Sequence, residues 1–275
     1  MEWILLLLLG LFAAILGSIM GLGGGIIIVP ALMVLSGYTA ILSGITPQVA
    51  VGTSLLVMIF TGLSSTLAYI KQKKVDIKSG LIFFAGSGPG ALFGVWLNKD
   101  IEVNAFLIFF GIFIIIVSFI LMIRKHIKPI KLAKKGGIRR TYENDLGETI
   151  EYGYQPVVGI GIGFVVGMCS GLFGIGGGSL MVPAMILLFA FPPHMAVATS
   201  MFLVFLSAIV SSISHISLGN VDWLYAAALI PGAWAGGQIG AVINRRLKSD
   251  TVVNLLRIFL IIIGIRLIYQ GITGM

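Results

Sequence analysis

The groups with which this 275-residue chain can hold a ligand are glycines and hydroxyls, not clustered carboxylates, cysteines or histidines. Two glycine runs stand out, Gly23, Gly24 and Gly25 in GLGGGIIIVP and Gly176, Gly177 and Gly178 in GIGGGSLMVP, the second followed directly by Ser179. Each lies inside a long apolar stretch, where a glycine run breaks a helix and lets a new one begin. The first N–H groups of a new helix have no intrahelical partner and carry partial positive charge, so such an end binds an anion without a lysine. Further along each half, Gln48, Thr53 and Ser54 correspond to His194, Thr199 and Ser200. The hydroxyl pairs fall about two turns after Pro47 and Pro193, some 10 Å into a bilayer by helical rise, where they can line a polar path. Hydrogen bonding back to the preceding turn is their alternative role.

No Asp or Glu falls inside an apolar run; Asp76 and Asp222 stand where runs begin and suit helix N-termini. This argues against a carboxylate proton relay and against a metal or dense cation site, and favours a neutral-to-positive cavity for a small anion. Arg257 and Arg266, in the last run, lie close enough to its ends to snorkel. His194 and His215 are ligand candidates whose bland alternative is an interfacial position. The single cysteine, Cys169, excludes an intrachain disulfide. Nothing calls for a cofactor or a catalytic residue. A Ser170 and His215 pair in an intramembrane hydrolase is the competing enzyme reading, and a duplicated fold does not suit it.

The elements that position these groups are membrane helices. Hydrophobic residues make up 58% of the chain and charged ones 10%, far from a soluble composition. Nearly all of the charge behind the net +8 lies outside the apolar runs, only Arg257 and Arg266 falling within one, as membrane topology requires, and does not point to nucleic acid. The N-terminal apolar segment lacks a basic start and reads as a retained span rather than a signal peptide. With about 20 residues per crossing, the first half offers an interrupted segment from Trp3 to about Leu35, then Pro47 to Ile70, Ser79 to Leu97 and Val103 to Ile123. The second offers Pro156 to about Phe191, again interrupted, then Pro193 to Ile216, Trp223 to Ile243 and Thr251 to Gln270.

The halves agree at matched residues: Gly21, Gly23, Gly24, Gly25, Val29, Pro30 and Ala31 with Gly174, Gly176, Gly177, Gly178, Val182, Pro183 and Ala184, Pro47 with Pro193, Asp76 with Asp222, and Gly86, Gly90, Gly94 and Asn98 with Gly232, Gly236, Gly240 and Asn244. Two internal repeats, 1–123 and 155–275, flank a basic, cytoplasmic connector at 124–154 that has a small β-hairpin around Asp145, Leu146 and Gly147. Basic loops swap position between the halves, Lys71 to Lys78 in the first and Arg245 to Lys248 in the second, which predicts inverted repeats; parallel four-span repeats are the alternative. Inversion needs an odd number of crossings, so each broken first segment is re-entrant, its second arm of about 15 Å spanning half a bilayer. The expected fold is thus an all-α, multi-pass membrane protein. Each repeat has a glycine-broken first segment and three spanning helices, for about eight to ten membrane helical segments in all. The stripes Gly86, Gly90, Gly94 and Gly232, Gly236, Gly240 read as packing faces, which is also the alternative reading of the glycine runs.

The doubled GxGGGxxxVPA stretch, the VGTS and VATS that follow, and the VD opening each glycine-striped span resemble the TauE/SafE family, the sulfite exporter-like permeases. The resemblance covers nearly the whole chain. It implies a plasma-membrane, that is inner-membrane, secondary transporter. The implied substrate is a small sulfur-containing or carboxylated anion such as sulfite, a sulfonate or thiosulfate, exported by alternating access, with the glycine breaks and hydroxyl pairs as its core. A passive anion channel is the alternative. Direction, coupling ion, exact substrate and a homo-oligomeric state are left open.

Overall fold

The computed structural model describes residues 2–35, 45–123, 137–143, 149–246 and 249–273. The described residues form ten helices and one hairpin: α1 (Glu2–Met20), α2 (Gly25–Leu35), α3 (Pro47–Lys71), α4 (Ile77–Asn98), α5 (Val103–Ile123), β1 (Ile138–Glu143), β2 (Thr149–Tyr154), α6 (Pro156–Phe173), α7 (Gly178–Phe189), α8 (Pro193–Ser217), α9 (Trp223–Asn244) and α10 (Ser249–Thr273). Among the described residues, six helices are long and apolar enough to cross a membrane: α1, α3, α4, α6, α8 and α9. The basic run from Arg124 to Lys135, the hairpin turn around Asp145 and the side chains of Ser179 and Arg257 lie outside the described residues.

Local chemistry sets the helix limits. Pro47, Pro156 and Pro193 open α3, α6 and α8 at the position where the missing N–H costs nothing. Asp76 and Asp222 cap α4 and α9 by accepting first-turn N–H groups, from Ser79 (3.1 Å) and from Leu224 and Tyr225 (3.0 Å each). At Gly174 the chain turns to φ +68° and α6 ends. The arms after the breaks, α2 and α7, have 11 and 12 residues, and each carries a proline inside it, Pro30 and Pro183.

Packing crosses between the halves. Helix α1 lies parallel along α9: Cβ atoms added to Gly232, Gly236 and Gly240 would run into the carbonyl oxygens of Leu7, Leu11 and Ile15. Helix α6 lies parallel along α4 in the same way, Gly86, Gly90 and Gly94 resting on the carbonyls of Ile160, Phe164 and Met168. Gly163, Gly167 and Gly171 rest in return on those of Phe83, Ser87 and Ala91. Helices α3 and α8 fill the centre and run antiparallel, Gly52 against Asn220 and Gly62 against Phe205. Helices α5 and α10 pair antiparallel at the periphery, Gly111 against Gly264 and Gly271 against Asn104. Large apolar side chains such as Leu8, Phe12, Trp96 and Phe109 stay exposed on the outer faces, as lipid contact requires.

Between lipid-soluble helices the driving force is close packing, so these stripes hold the swapped pairs together. Gly90→Ala, whose Cβ meets the Phe164 carbonyl, is expected to lower stability by about 1–3 kcal/mol. Gly161→Ala, with nothing within 4 Å of its Cβ, is expected to unfold with the wild type. Thermal unfolding in detergent compares the two.

The hairpin pairs antiparallel from Ile138 with Tyr154 to Glu143 with Thr149. The alternation of β2 turns Tyr152 and Tyr154 inward, onto Phe83 of α4, Phe189 of α7 and Phe191 beyond it, with ring centroids 4.4–6.1 Å apart. The two strands thereby sit on the helices.

Candidate functional site

Two helix breaks cross at the centre of the molecule. Between α1 and α2 the chain takes φ of +73°, +80° and +92° at Gly21, Gly23 and Gly24; between α6 and α7 it takes +68° and +62° at Gly174 and Gly176. Those values belong to glycine, and any side chain there is strained. The segments run past each other in opposite senses. A Cβ on Gly25 would meet the Gly174 carbonyl oxygen, and one on Gly178 the Gly21 carbonyl oxygen. At the middle of the crossing, Gly23 and Gly176 both face Met58 Cε and Val204 Cγ1. Met58 and Val204 lie halfway along α3 and α8, helices of 25 residues each, so the crossing sits at mid-depth.

The four predicted hydroxyls all bond across the halves, the two serines to the crossing itself and the two threonines to the starts of α9 and α4. Ser54 donates to the Gly174 carbonyl (3.1 Å) and Ser200 to the Gly21 carbonyl (2.7 Å). Thr53 accepts from the Asp222 N–H and Thr199 from the Asp76 N–H, both at 3.0 Å. All four are fully buried. Back-bonding to the preceding turn is instead what Thr61, Ser214 and Ser217 do.

Gln48 and His194 sit about 15 Å from the crossing by helical rise, in the first turns of α3 and α8. Gln48 donates to the carbonyls of Ile101 (3.0 Å) and Asn98 (3.3 Å). His194 Nδ1 pairs with Asn244 Oδ1 at 2.9 Å, which fixes the proton on that nitrogen because the partner only accepts. Asn244 and Asn98 then donate across the halves, to the carbonyls of Ile19 (2.5 Å) and Leu172 (2.8 Å). The structure therefore brings Gly23 to Gly25, Gly176 to Gly178, Ser54 and Ser200 together, turns the Thr53 and Thr199 hydroxyls to the starts of α9 and α4, and leaves Gln48 and His194 at helix ends.

An interfacial position does not hold for His215, which is fully buried with Nε2 3.4 Å from the Gly171 carbonyl. Its first-half counterpart, Tyr69, donates to the Ser18 carbonyl at 2.8 Å, within a network that also joins Ser18, Ser65 and the Gly237 carbonyl. Because His215 faces a backbone carbonyl and not Ser170 Oγ, the residues of a serine-histidine pair are not in bonding contact. Met58, Val204 and the two asparagines carry no sequence signal of a site; only their matched positions in the two halves single them out.

On the connector side, Asp76 gathers the hairpin. Its carboxylate accepts from Arg140 Nη1, from Tyr152 Oη (3.0 Å) and from Ser79 Oγ (2.5 Å). Burial, and then the Asp76 charge beside it, pushes the Tyr152 phenol well above the usual tyrosine range, so it stays a donor. Burial raises Tyr154 as well.

A family model described as sulfite exporter TauE/SafE matches residues 6–267. The chain is 59% identical over 272 residues to a protein of Bacillus subtilis (strain 168) named probable membrane transporter protein YunE, covering 99% of both chains. It is 28% identical over 273 residues to probable membrane transporter protein YjnA of the same strain, covering 96% of this chain and 98% of that one. Probable membrane transporter protein MJ0441 of Methanocaldococcus jannaschii is 29% identical over 222 residues, covering 80% of this chain and 75% of its own. No solved structure matches the chain. The chain belongs to the sulfite exporter TauE/SafE family, whose members named here are described as probable membrane transporters and not as enzymes.

Proposed function

We propose that this member of the sulfite exporter TauE/SafE family is a secondary transporter of the plasma membrane that exports a small oxyanion such as sulfite or a sulfonate. The anion is held where the glycine breaks cross and is exposed to each side in turn. The crossing itself carries this reading. Two new helices, α2 and α7, begin at mid-depth, and unpaired backbone there is tolerated only where protein or a polar cavity satisfies it. Their first N–H groups supply partial positive charge in a span region free of carboxylates.

The repeats, 1–123 and 155–275, are inverted across the bilayer around the connector at 124–154. Support comes from the antiparallel contacts of the matched pairs α3 with α8 and α5 with α10. The reciprocal bonds from Ser54 to Gly174 and from Ser200 to Gly21 support it too. An in-plane two-fold axis produces both.

Liposomes containing the purified protein and loaded with unlabelled sulfite are expected to accumulate external radiolabelled sulfite transiently by counterflow. Equilibration without counterflow would make the protein a passive channel. No movement of sulfite, thiosulfate or sulfoacetate would overturn the oxyanion reading.

A further inference from the structure

The two breaks match in sequence but differ in what surrounds them. The register that pairs Gly21 with Gly174 pairs Gly17 with Ser170, one turn before each break. A Cβ on Gly17 would lie 2.6 Å from Gly24 Cα and 2.7 Å from the Gly23 carbonyl carbon, so this position points straight into its break. In the second half it carries a real side chain. There Gly177, the match of Gly24, takes φ −59° in place of +92°.

Residues four apart share a helix face, and Val166, four before Ser170, places Cγ1 3.2 Å from a Cβ built on Gly177. Ser170 thus faces the second break. It is fully buried, and among the described residues its Oγ has no hydrogen-bond partner.

Other differences point the same way. Ser207 Oγ lies 3.8 Å from the Cβ built on Gly177 and shares a hydrogen bond of 2.9 Å with Ser87 Oγ. Their matches around the first break are Thr61 of α3, which bonds back to Val57, and Ala233 of α9, which has no hydroxyl. No side chain caps the start of α7. The second break is lined with hydroxyls, one of them without a partner among the described residues, whereas the matching places at the first are glycine, alanine and a threonine that bonds its own helix.

We infer that the oxyanion binds at the second break alone, with the Ser170 hydroxyl donating to it beside the N-terminus of α7. This rests on the oxyanion reading above and assigns that reading to one of two matched places. A buried hydroxyl without a partner costs stability in the empty protein and gains its bond when an anion arrives.

Sulfite binding to the full-length protein in detergent, measured by thermal shift against concentration, tests it. Ser170→Ala is expected to raise the sulfite dissociation constant about tenfold or more, as the loss of a hydrogen bond to a charged group does. Its unfolding temperature without anion is expected to equal or exceed that of the wild type, which a merely structural serine would not give. Ser170→Gly, which installs the first-half residue, is expected to behave the same way and serves where Ser170→Ala fails to fold. Thr61→Ala, at the first break, is expected to bind sulfite within about twofold of the wild type. Wild-type affinity in both Ser170 variants would overturn the assignment and leave the oxyanion reading standing. A wild type stabilised by none of sulfite, thiosulfate or methanesulfonate would overturn both.

Discussion

Gly25→Ala and Gly178→Ala are expected to stop transport and to lower the unfolding temperature by several degrees. The added methyl in each case lands on backbone of the other break, the Gly174 carbonyl oxygen for Gly25 and the Gly21 carbonyl oxygen for Gly178. Neither obstacle can swing aside as a side-chain tip does, so the segments must part. Overpacking of this kind costs about 1–3 kcal/mol and sometimes more. The same shift pulls Gly174 and Gly21 from Ser54 and Ser200. Gly24→Ala adds strain of its own, because at φ +92° an alanine is disfavoured, and the Ala13 carbonyl oxygen lies 2.9 Å from its Cβ.

Gly177→Ala is the contrast. Its φ is ordinary and its nearest neighbour, Val166 Cγ1 at 3.2 Å, is a side chain, so its unfolding temperature is expected to match the wild type. Its sulfite affinity is expected to fall nonetheless, since the methyl points between Val166 and Ser207, into the place proposed for the anion. Unfolding curves and counterflow on the four variants separate these outcomes. Equal destabilisation by Gly177→Ala and Gly178→Ala would mean that the breaks do not cross as described.

Sequence duplication alone treats Gly24 and Gly177 as equals, and the difference between them shows where reading from residues stops. What a residue requires of its own backbone was legible: glycines that break a helix, prolines that open one, Asp76 and Asp222 that cap one, stripes that let two helices touch. The arms α2 and α7 followed from the distance between break and loop, and the hairpin from alternation in the connector. Partners across the chain were not legible, because they depend on superposing segments more than a hundred residues apart. Nothing in the spacing of Ser54 tells that it reaches Gly174, or that α1 lies on α9 rather than on its own half. Gln48 and His194 look unattached in a first turn, yet their partners are the loop between α4 and α5 at Ile101 and the end of α9 at Asn244. His215, read as a residue near a helix end, is buried because the neighbouring α6 covers it at Gly171.

Asp76 and Asp222 make the sharpest case of equal residues in unequal settings, and replacing each with alanine is expected to give different losses. Asp222 accepts two first-turn N–H bonds and nothing more among the described residues, so Asp222→Ala is expected to cost about 1 kcal/mol, the usual worth of a cap. Asp76 caps α4 and in addition holds Arg140, Tyr152 and Ser79 Oγ, with its carboxylate almost wholly buried. Removing one partner of a buried ion pair costs about 3–5 kcal/mol. The Arg140 side chain is 25% exposed and water screens part of that, so Asp76→Ala is expected to cost roughly 2–4 kcal/mol. Tyr152 then loses its acceptor while its ring still packs on Phe191 at 4.4 Å, so the hairpin loosens at its polar edge first. Tryptic cleavage after Arg140 reads that directly: it is expected to speed up in Asp76→Ala and to stay at the wild-type rate in Asp222→Ala. Equal unfolding temperatures and equal cleavage in the two variants would mean that the hairpin is not held by Asp76. The asymmetry matters for function because the hairpin grips α4 of the first half and α7 of the second at the connector face alone. Any rocking of one half against the other would therefore displace this strap at one end of the helix bundle and nothing like it, among the described residues, at Asp222 at the other end.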